Sequence, residues 1–178
     1  MSDPADLLDE VGAITTQLGG LGLLPILVGG MALVVLGSRR VTRDFDFVVA
    51  RPGPRLKSVV DALYDHGLQL AARVNDEGDI TAAIDNRGVA AARLQIDTPT
   101  SAFFQNPHTG LRVDLLFDFP VAATELAARA TPIRIRSHLF HIASTRDLLN
   151  LKQIATAARS APGDAEDLAY LQRLLRNQ

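Results

Sequence analysis

The chain has 178 residues, and its 20 acidic side chains against 18 Lys and Arg give a formal net charge of −2. This near-balance argues against an obligate binder of polyelectrolytes, and a hydrophobic content of 47% excludes disorder along the whole chain. The lack of cysteine excludes disulfides, thiolate chemistry and Cys-based metal centres, and the length fits one ordinary domain.

Helical and extended patterns alternate along the first third of the chain. Helices are indicated by apolar side chains three or four residues apart, and strands by short apolar runs or by an alternation of period two. In chain order these patterns predict a helix over 3–19, a strand over 23–28, a helix over 31–36, a strand over 43–49 and a helix over 56–66.

The middle of the chain is predicted to be rich in strands, and its end to be helical. Turns made of Asn, Asp and Gly separate the candidate strands. The predicted strands cover 68–74, 80–84, 89–96, 111–117 and 133–142, and the predicted helices cover 121–130, 145–159 and 164–175. Without a long linker, we predict one α/β domain over 1–178, with a sheet core over about 20–143 and C-terminal helices over 144–178.

No apolar run reaches the ~20 residues of a membrane span. The longest run, Leu21–Leu36, is interrupted by Gly29 and Gly30. The first ten residues are acidic and polar, unlike the basic start of a signal peptide. We therefore expect a cytoplasmic protein with no membrane partner.

Gly29 and Gly30 stand between a predicted strand and a predicted helix. Glycine lets the backbone approach a ligand closely, and the amides at the start of a helix hold phosphate oxygens. The same pair is also typical of a plain tight turn. The pattern alone leaves both interpretations open.

Asp44 and Asp46 lie two residues apart on a predicted strand, so both carboxylates point to one face while Phe45 and Phe47 are buried on the other. Parallel carboxylates repel each other unless a cation lies between them. Mg²⁺ prefers hard oxygen ligands and binds through one or two carboxylates together with substrate phosphates. The alternative is an edge strand whose outer face is merely acidic.

Asp114 is a third carboxylate, and it lies in the apolar middle of the predicted strand 111–117. An uncompensated charge at such a position is costly. Beside Asp44 and Asp46, it would complete a metal site of three carboxylates. Two cations ~3.5–4 Å apart at such a site clamp an in-line phosphoryl displacement.

Together these motifs resemble the polymerase-β-like nucleotidyltransferase superfamily. The chain is most similar to its small bacterial, toxin-like members of the AbiEii and MenT type. The segments that carry the resemblance are Gly29-Gly30-x-Ala32-Leu33, Arg40-x-Thr42-Arg43-Asp44-x-Asp46, Val113-Asp114-Leu115-Leu116-Phe117, Asp147-Leu148-Leu149-x-x-Lys152 and Asp164-x-x-Asp167-Leu168.

The resemblance implies an α/β fold with a mixed sheet flanked by helices and a C-terminal helical pair. It implies an enzyme that uses Mg²⁺ or Mn²⁺ to transfer a nucleoside monophosphate from a nucleoside triphosphate to an acceptor. The acceptor is open between a tRNA 3′ end, a small molecule and a protein. A toxin-like member would also have a cognate antitoxin as a partner.

The resemblance also implies roles for individual residues. Asp44 and Asp46 would bind metal with the triphosphate, and Asp114 would bind a second metal and help to deprotonate the acceptor. Many superfamily members have Gly-Ser where this chain has Gly-Gly, so backbone amides would replace the serine hydroxyl. The residues assigned to nucleotide phosphates are Gly29, Gly30, Arg40 and Thr42. The alternative for Arg40 is a simple ion pair with an acidic side chain.

Lys152 is the fourth residue predicted to be catalytic. It lies on a predicted helix beside apolar side chains, so its stem either packs there while the charge reaches water, or the ammonium reaches a phosphate in the cleft. The resemblance favours phosphate. The start of this helix, Ser144 to Asp147, resembles a capping box.

Two other classes of function compete with nucleotidyl transfer. One is an inactive module that binds a nucleotide or a partner on the same fold, because a fold does not guarantee activity. The other is a metal-dependent nuclease that uses the same acidic cluster. A nuclease would not need two glycines beside the start of a helix.

Overall fold

The computed structural model describes residues 3–178. Within this range the chain forms seven α-helices, eight strands and one 3-10 turn, Gly53–Arg55. The helices are α1 (Pro4–Gly20), α2 (Gly29–Val35), α3 (Leu56–Asp65), α4 (Arg87–Asp97), α5 (Ala123–Arg129), α6 (Thr145–Ala158) and α7 (Asp164–Arg176). The strands are β1 (Ile26–Val28), β2 (Asp44–Val49), β3 (Gln69–Val74), β4 (Ile80–Ile84), β5 (Ser101–Gln105), β6 (Arg112–Phe117), β7 (Thr131–Ile135) and β8 (His138–Ile142).

All eight strands belong to one mixed sheet, in the order β4-β3-β5-β6-β2-β1-β8-β7. The pairs β2–β6 and β1–β8 are parallel, and the other neighbours are antiparallel. The predicted fold class, a mixed sheet flanked by helices and ending in a helical pair, is therefore confirmed. The parallel pair β2–β6 lies at the middle of the sheet and carries the acidic residues.

The sheet separates two helical layers. On one face, α1 lies beside Phe47 and Phe140, and α3 and α4 lie beside Phe117. On the other face, α2 contacts β1 and β2, while α6 contacts both α2 and α7. The aromatic side chains of β2 are almost completely buried, as its alternating sequence predicts.

The strand predicted over 89–96 is wrong, because α4 covers this segment. The Asn86 side chain caps the helix by accepting a backbone N–H. Ala90 and Leu94, one turn apart, are its buried side chains. Ile96, the last residue of the predicted strand, is 80% exposed and belongs to α4.

The strand count of the second half also differs from the prediction. Strand β5 lies where no element was predicted, because its five residues begin with Ser and end with Gln around a short apolar centre. The single strand predicted over 133–142 is the hairpin β7–β8, which reverses at Arg136 with φ of 56°. In the part of the chain that the structure describes, no helix is both long and apolar enough to cross a membrane.

Candidate active site

The register of β2 and β6 brings the predicted carboxylates together. The parallel pairing sets Asp46 opposite Asp114 and Asp44 opposite Arg112. Since side chains alternate along a strand, these four residues lie on one face of the sheet. Asp114 is buried, Asp46 is half-buried and Asp44 is exposed. The exposed end of the acidic face is therefore at Asp44, and the buried end is at Asp114.

The carboxyl groups of Asp46 and Asp114 titrate together. Burial, repulsion by Asp114 and a hydrogen bond to it, with a further contribution from Asp44, raise the pKa of Asp46 to about 8. Burial also raises the pKa of Asp114, while Arg112 opposes that rise. Burial thus raises the pKa of both carboxyls, so the pair resists carrying two negative charges without a cation.

This donor set suits a hard divalent cation. Within residues 3–178, no group of three or more His, Asp or Glu side chains is arranged to hold a metal ion alone. Mg²⁺, however, is commonly bound by one or two carboxylates together with substrate phosphates. Asp46 and Asp114 supply two adjacent carboxyl groups that repel each other when both are charged, and a cation between them would remove this repulsion.

The two glycines allow two side chains to approach the backbone closely. Gly29 has φ of +69°, and a Cβ there would collide with the Asp46 carboxylate. A Cβ on Gly30 would lie 2.8 Å from Nε of Arg40. The Gly29-Gly30 turn thus lies against Asp46 on one side and Arg40 on the other. A phosphate held at this turn stays a prediction.

An ion-pair cluster joins Arg40 and Lys152 to the start of α7. The Lys152 ammonium lies 2.6 Å from Oδ1 of Asp164 and 2.9 Å from Oδ2 of Asp167, and Arg40 donates a hydrogen bond to that same Oδ2 atom. The side chain of Asp167 is only 6% exposed. The hydrogen bond from Lys152 lowers the pKa of Asp164. Two cations and two carboxylates therefore balance each other beside the glycine turn.

Thr42 stabilises the start of β2. Its Oγ1 accepts a long hydrogen bond, 3.4 Å, from the backbone N–H of Asp44. Ser144 accepts a hydrogen bond from the backbone N–H of Asp147 at 3.1 Å, as the capping-box pattern predicts. Asp164 is the first residue of α7, and the N-cap of this helix is Gly163.

The eight residues predicted for the site lie along one continuous series of contacts. Asp114 neighbours Asp46, Asp46 lies against Gly29, and Gly30 lies against Arg40. Arg40 and Lys152 then share Asp167. The series is completed by Asp44, two residues before Asp46 on the same face, and by Thr42, which is bonded to Asp44.

Sequence reasoning missed two parts of this site. Arg112, which donates a hydrogen bond to Oδ1 of Asp114 at 2.9 Å, was given no role. Its position two residues before Asp114 on an alternating strand was the available signal. Asp167 was also given no role at the site, but its carboxylate binds two cations, Arg40 and Lys152. The local sequence held no signal for its partner Arg40, which is 127 positions away.

Solved structures of nucleotidyltransferases share this fold. The lincomycin-bound lincosamide antibiotic adenylyltransferase LnuA matches with a TM-score of 0.57 and 13% identity, over 92% of this chain and 95% of that one. An antigenic nucleotidyltransferase-like protein from Paracoccidioides brasiliensis matches with a TM-score of 0.61 and 14% identity, over 94% of this chain and 76% of that one. ANT(2″)-Ia, in complex with adenylyl-2″-tobramycin, matches with a TM-score of 0.55 and 12% identity, over 93% of this chain and 87% of that one.

Sequence comparison adds nothing to this likeness. No protein-family model matches the chain, and no curated protein matches it in sequence. The likeness to these solved structures is therefore one of fold, and a fold by itself does not determine an activity.

Proposed function

We propose that the protein is a metal-dependent nucleotidyltransferase that transfers a nucleoside monophosphate from a nucleoside triphosphate to a hydroxyl group of an acceptor. The observation that carries this proposal is the juxtaposition of Asp46 and Asp114 on parallel strands, with Asp44 on the same face and the Gly29-Gly30 turn against Asp46. The fold shared with known nucleotidyltransferases supports it.

Asp46 and Asp114 are the residues that would hold a divalent cation, with Asp44 at the exposed end of the same face. Bound there, Mg²⁺ or Mn²⁺ would neutralise charge on the triphosphate and polarise its α-phosphate. Asp46 would lose its proton when the cation binds. Asp114, beside Arg112, would draw the proton from the attacking hydroxyl.

The transfer itself needs positioning and neutralisation of charge more than covalent help. The acceptor oxygen attacks the α-phosphorus, the bond from this phosphorus to the bridging oxygen breaks, and pyrophosphate leaves. We assign Gly29, Gly30, Arg40 and Thr42 to the phosphates and Lys152 to the charge that develops on pyrophosphate. The lack of a side-chain nucleophile in this assignment is consistent with direct transfer.

The acceptor class is the finer part of the proposal. The resemblance of the motifs to AbiEii and MenT-type toxins favours a tRNA 3′ end, with a cognate antitoxin as the partner. Two of the similar solved structures are complexes with small molecules, one with lincomycin and one with adenylyl-2″-tobramycin. A tRNA and a small hydroxylated molecule are therefore the two acceptors to test first.

Label transfer tests this function directly. The protein is incubated with each α-³²P-labelled nucleoside triphosphate and Mg²⁺ or Mn²⁺, together with total tRNA, an antibiotic panel or a cell extract. Label that moves to an acceptor supports the proposal, and its size identifies the acceptor class. Binding of the triphosphate without transfer would favour the inactive module, and release of nucleotides from unlabelled nucleic acid would favour the nuclease.

Two variants make this assay specific to the site. Asp46→Asn removes one of the two adjacent carboxyl groups, so we expect transfer to fall by ~10³-fold or more. Asp97→Asn is the matched control, because Asp97 is 54% exposed on α4 and, among the residues that the structure describes, its single ion pair is with Arg93 at 3.5 Å. If both variants transfer label at the parental rate, the assigned site is wrong.

A further inference from the structure

Arg112 makes three contacts that fix its guanidinium group beside the acidic pair. Its Nε donates to Oδ1 of Asp114 at 2.9 Å, and its Nη1 donates to the carbonyl oxygen of Gly78 at 2.5 Å. Its Cζ also lies 5.0 Å from the centre of the Phe103 ring. With a side chain only 15% exposed, Arg112 is held between two strands and a turn.

The two supports of Arg112 are themselves fixed by the fold. Phe103 lies on β5 directly opposite Asp114, so its ring stands on the same face as the acidic pair. Gly78 belongs to the β3–β4 turn, where Oδ1 of Asn75 accepts the backbone N–H groups of Glu77 and Asp79 at 3.0 and 2.8 Å. The carbonyl of Gly78 therefore reaches Arg112 from a braced turn.

A free arginine side chain samples many rotamers. Because two of its donors and one face of its guanidinium are already engaged, Arg112 keeps little of this freedom and needs little further ordering when a substrate binds. Arg112 donates to one oxygen of Asp114, Oδ1. This hydrogen bond restricts the orientation of the carboxyl group, and the guanidinium brings a positive charge beside it. This charge also opposes the repulsion between Asp114 and Asp46. Both effects act on Asp114 before any substrate arrives.

We propose that Arg112 is a positioning residue for Asp114: it holds this carboxylate beside Asp46 in the orientation that receives a divalent cation. The Gly78 carbonyl and the Phe103 ring hold Arg112 for this task. The inference rests on the proposed function, since it concerns the cation that nucleotidyl transfer would use. It adds the β3–β4 turn to the parts of the chain on which the site depends.

Mn²⁺ binding tests the proposal without any turnover. The parent, Arg112→Met and Arg112→Lys are titrated with Mn²⁺ by electron paramagnetic resonance, in the presence of a non-hydrolysable ATP analogue. Removing a residue that orients a metal ligand typically lowers the affinity for the metal by about 10–100-fold. We expect a loss of this size for Arg112→Met and a partial rescue by Arg112→Lys, which keeps the charge but not the fork of donors.

Arg129→Met is the matched control. Arg129 donates two hydrogen bonds to the buried carboxylate of Asp147, both at 2.9 Å, but between α5 and α6 rather than at the acidic pair. We expect this variant to lose stability in urea and to keep the parental Mn²⁺ affinity. A general loss of stability would affect both arginine variants alike, whereas a positioning role affects only the variants of Arg112.

The outcomes separate the inference from the function on which it rests. Parental Mn²⁺ affinity in Arg112→Met, with affinity lost in Asp114→Asn, would overturn the role of Arg112 and leave the function intact. A parent protein that binds no Mn²⁺ with the nucleotide analogue would overturn both. If Arg112→Met does not fold, parental affinity in both Arg112→Lys and Phe103→Leu would overturn the positioning role.

Discussion

Asp46 affects both the proposed metal binding and the stability of the folded protein. Burial and the neighbouring carboxyls of Asp114 and Asp44 raise its pKa to about 8, far above the ordinary 3.8. A group that binds its proton more tightly in the folded state stabilises the fold where it is protonated. This contribution is complete below pH of about 3.8 and is lost as the pH rises through about 8.

Replacing Asp46 should therefore stabilise the metal-free protein at high pH only. In Asp46→Asn the amide carries no charge, so its repulsion with Asp114 disappears. We expect the free energy of unfolding to rise by about 1–3 kcal/mol at pH 9 and to change little at pH 4. Urea unfolding followed by circular dichroism, with a chelator present, measures this difference at the two pH values.

Adding Mg²⁺ and a nucleotide analogue supplies the control for this effect. A ligand that binds only the folded protein raises its stability, so the parent should gain stability at pH 9 and Asp46→Asn should not. An equal gain in the two proteins would place the cation elsewhere. An Asp46→Asn variant that is less stable than the parent at pH 9 would show that the acidic pair is not under repulsion.

At the scale of elements, the sequence predicts best where a strand shows a clear alternation. The period-two pattern of β2 and β6 was sufficient to place Asp44, Asp46 and Asp114 on strand faces, and the register then brought them together. In α4 and β5 the apolar signals are short and the decisive contacts are tertiary. The Arg112 contact with Gly78 spans 34 positions, so no local pattern predicts it.

The helices α6 and α7 raise a second question, because Lys152 belongs to an ion-pair cluster and is also assigned to phosphate. Its loss would leave Asp164 and the buried Asp167 with Arg40 as their remaining partner in the cluster. A stability defect in Lys152→Met would therefore say nothing about catalysis. A second change is needed to restore the balance of charge.

The double variant Lys152→Met/Asp164→Asn separates the two roles. It retains the pair between Arg40 and Asp167, so we expect it to recover most of the about 1–3 kcal/mol that Lys152→Met alone loses in urea unfolding. If Lys152 neutralises the leaving pyrophosphate, both variants lose ~10²–10³ in the rate of label transfer. Parental turnover in the double variant would make Lys152 a structural residue.

At the scale of the whole molecule, the C-terminal helices are bound closely to the sheet core. Leu171 of α7 is 1% exposed and belongs to the hydrophobic core, and Asp167 reaches Arg40 beside the glycine turn. Tyr170 of the same helix donates a hydrogen bond to the carbonyl of Leu36 at 2.7 Å. These contacts favour one cooperative domain over a sheet core with a separable helical appendage.

The two tyrosines of the chain, which has no tryptophan, report on the two helical layers. Tyr64 on α3 donates to the carbonyl of Ile84 and accepts the N–H of Leu70, so its fluorescence reports unfolding of α3 and the sheet. The fluorescence of Tyr170 reports unfolding of α7. In Tyr170→Phe and in Tyr64→Phe, the fluorescence of the remaining tyrosine is compared with circular dichroism during urea unfolding. Since a single domain unfolds as a unit, we expect the two midpoints to coincide within each variant, although each lost hydroxyl costs about 1–2 kcal/mol. An earlier transition of Tyr170 would instead divide the chain near residue 144 into a core and an independent helical pair.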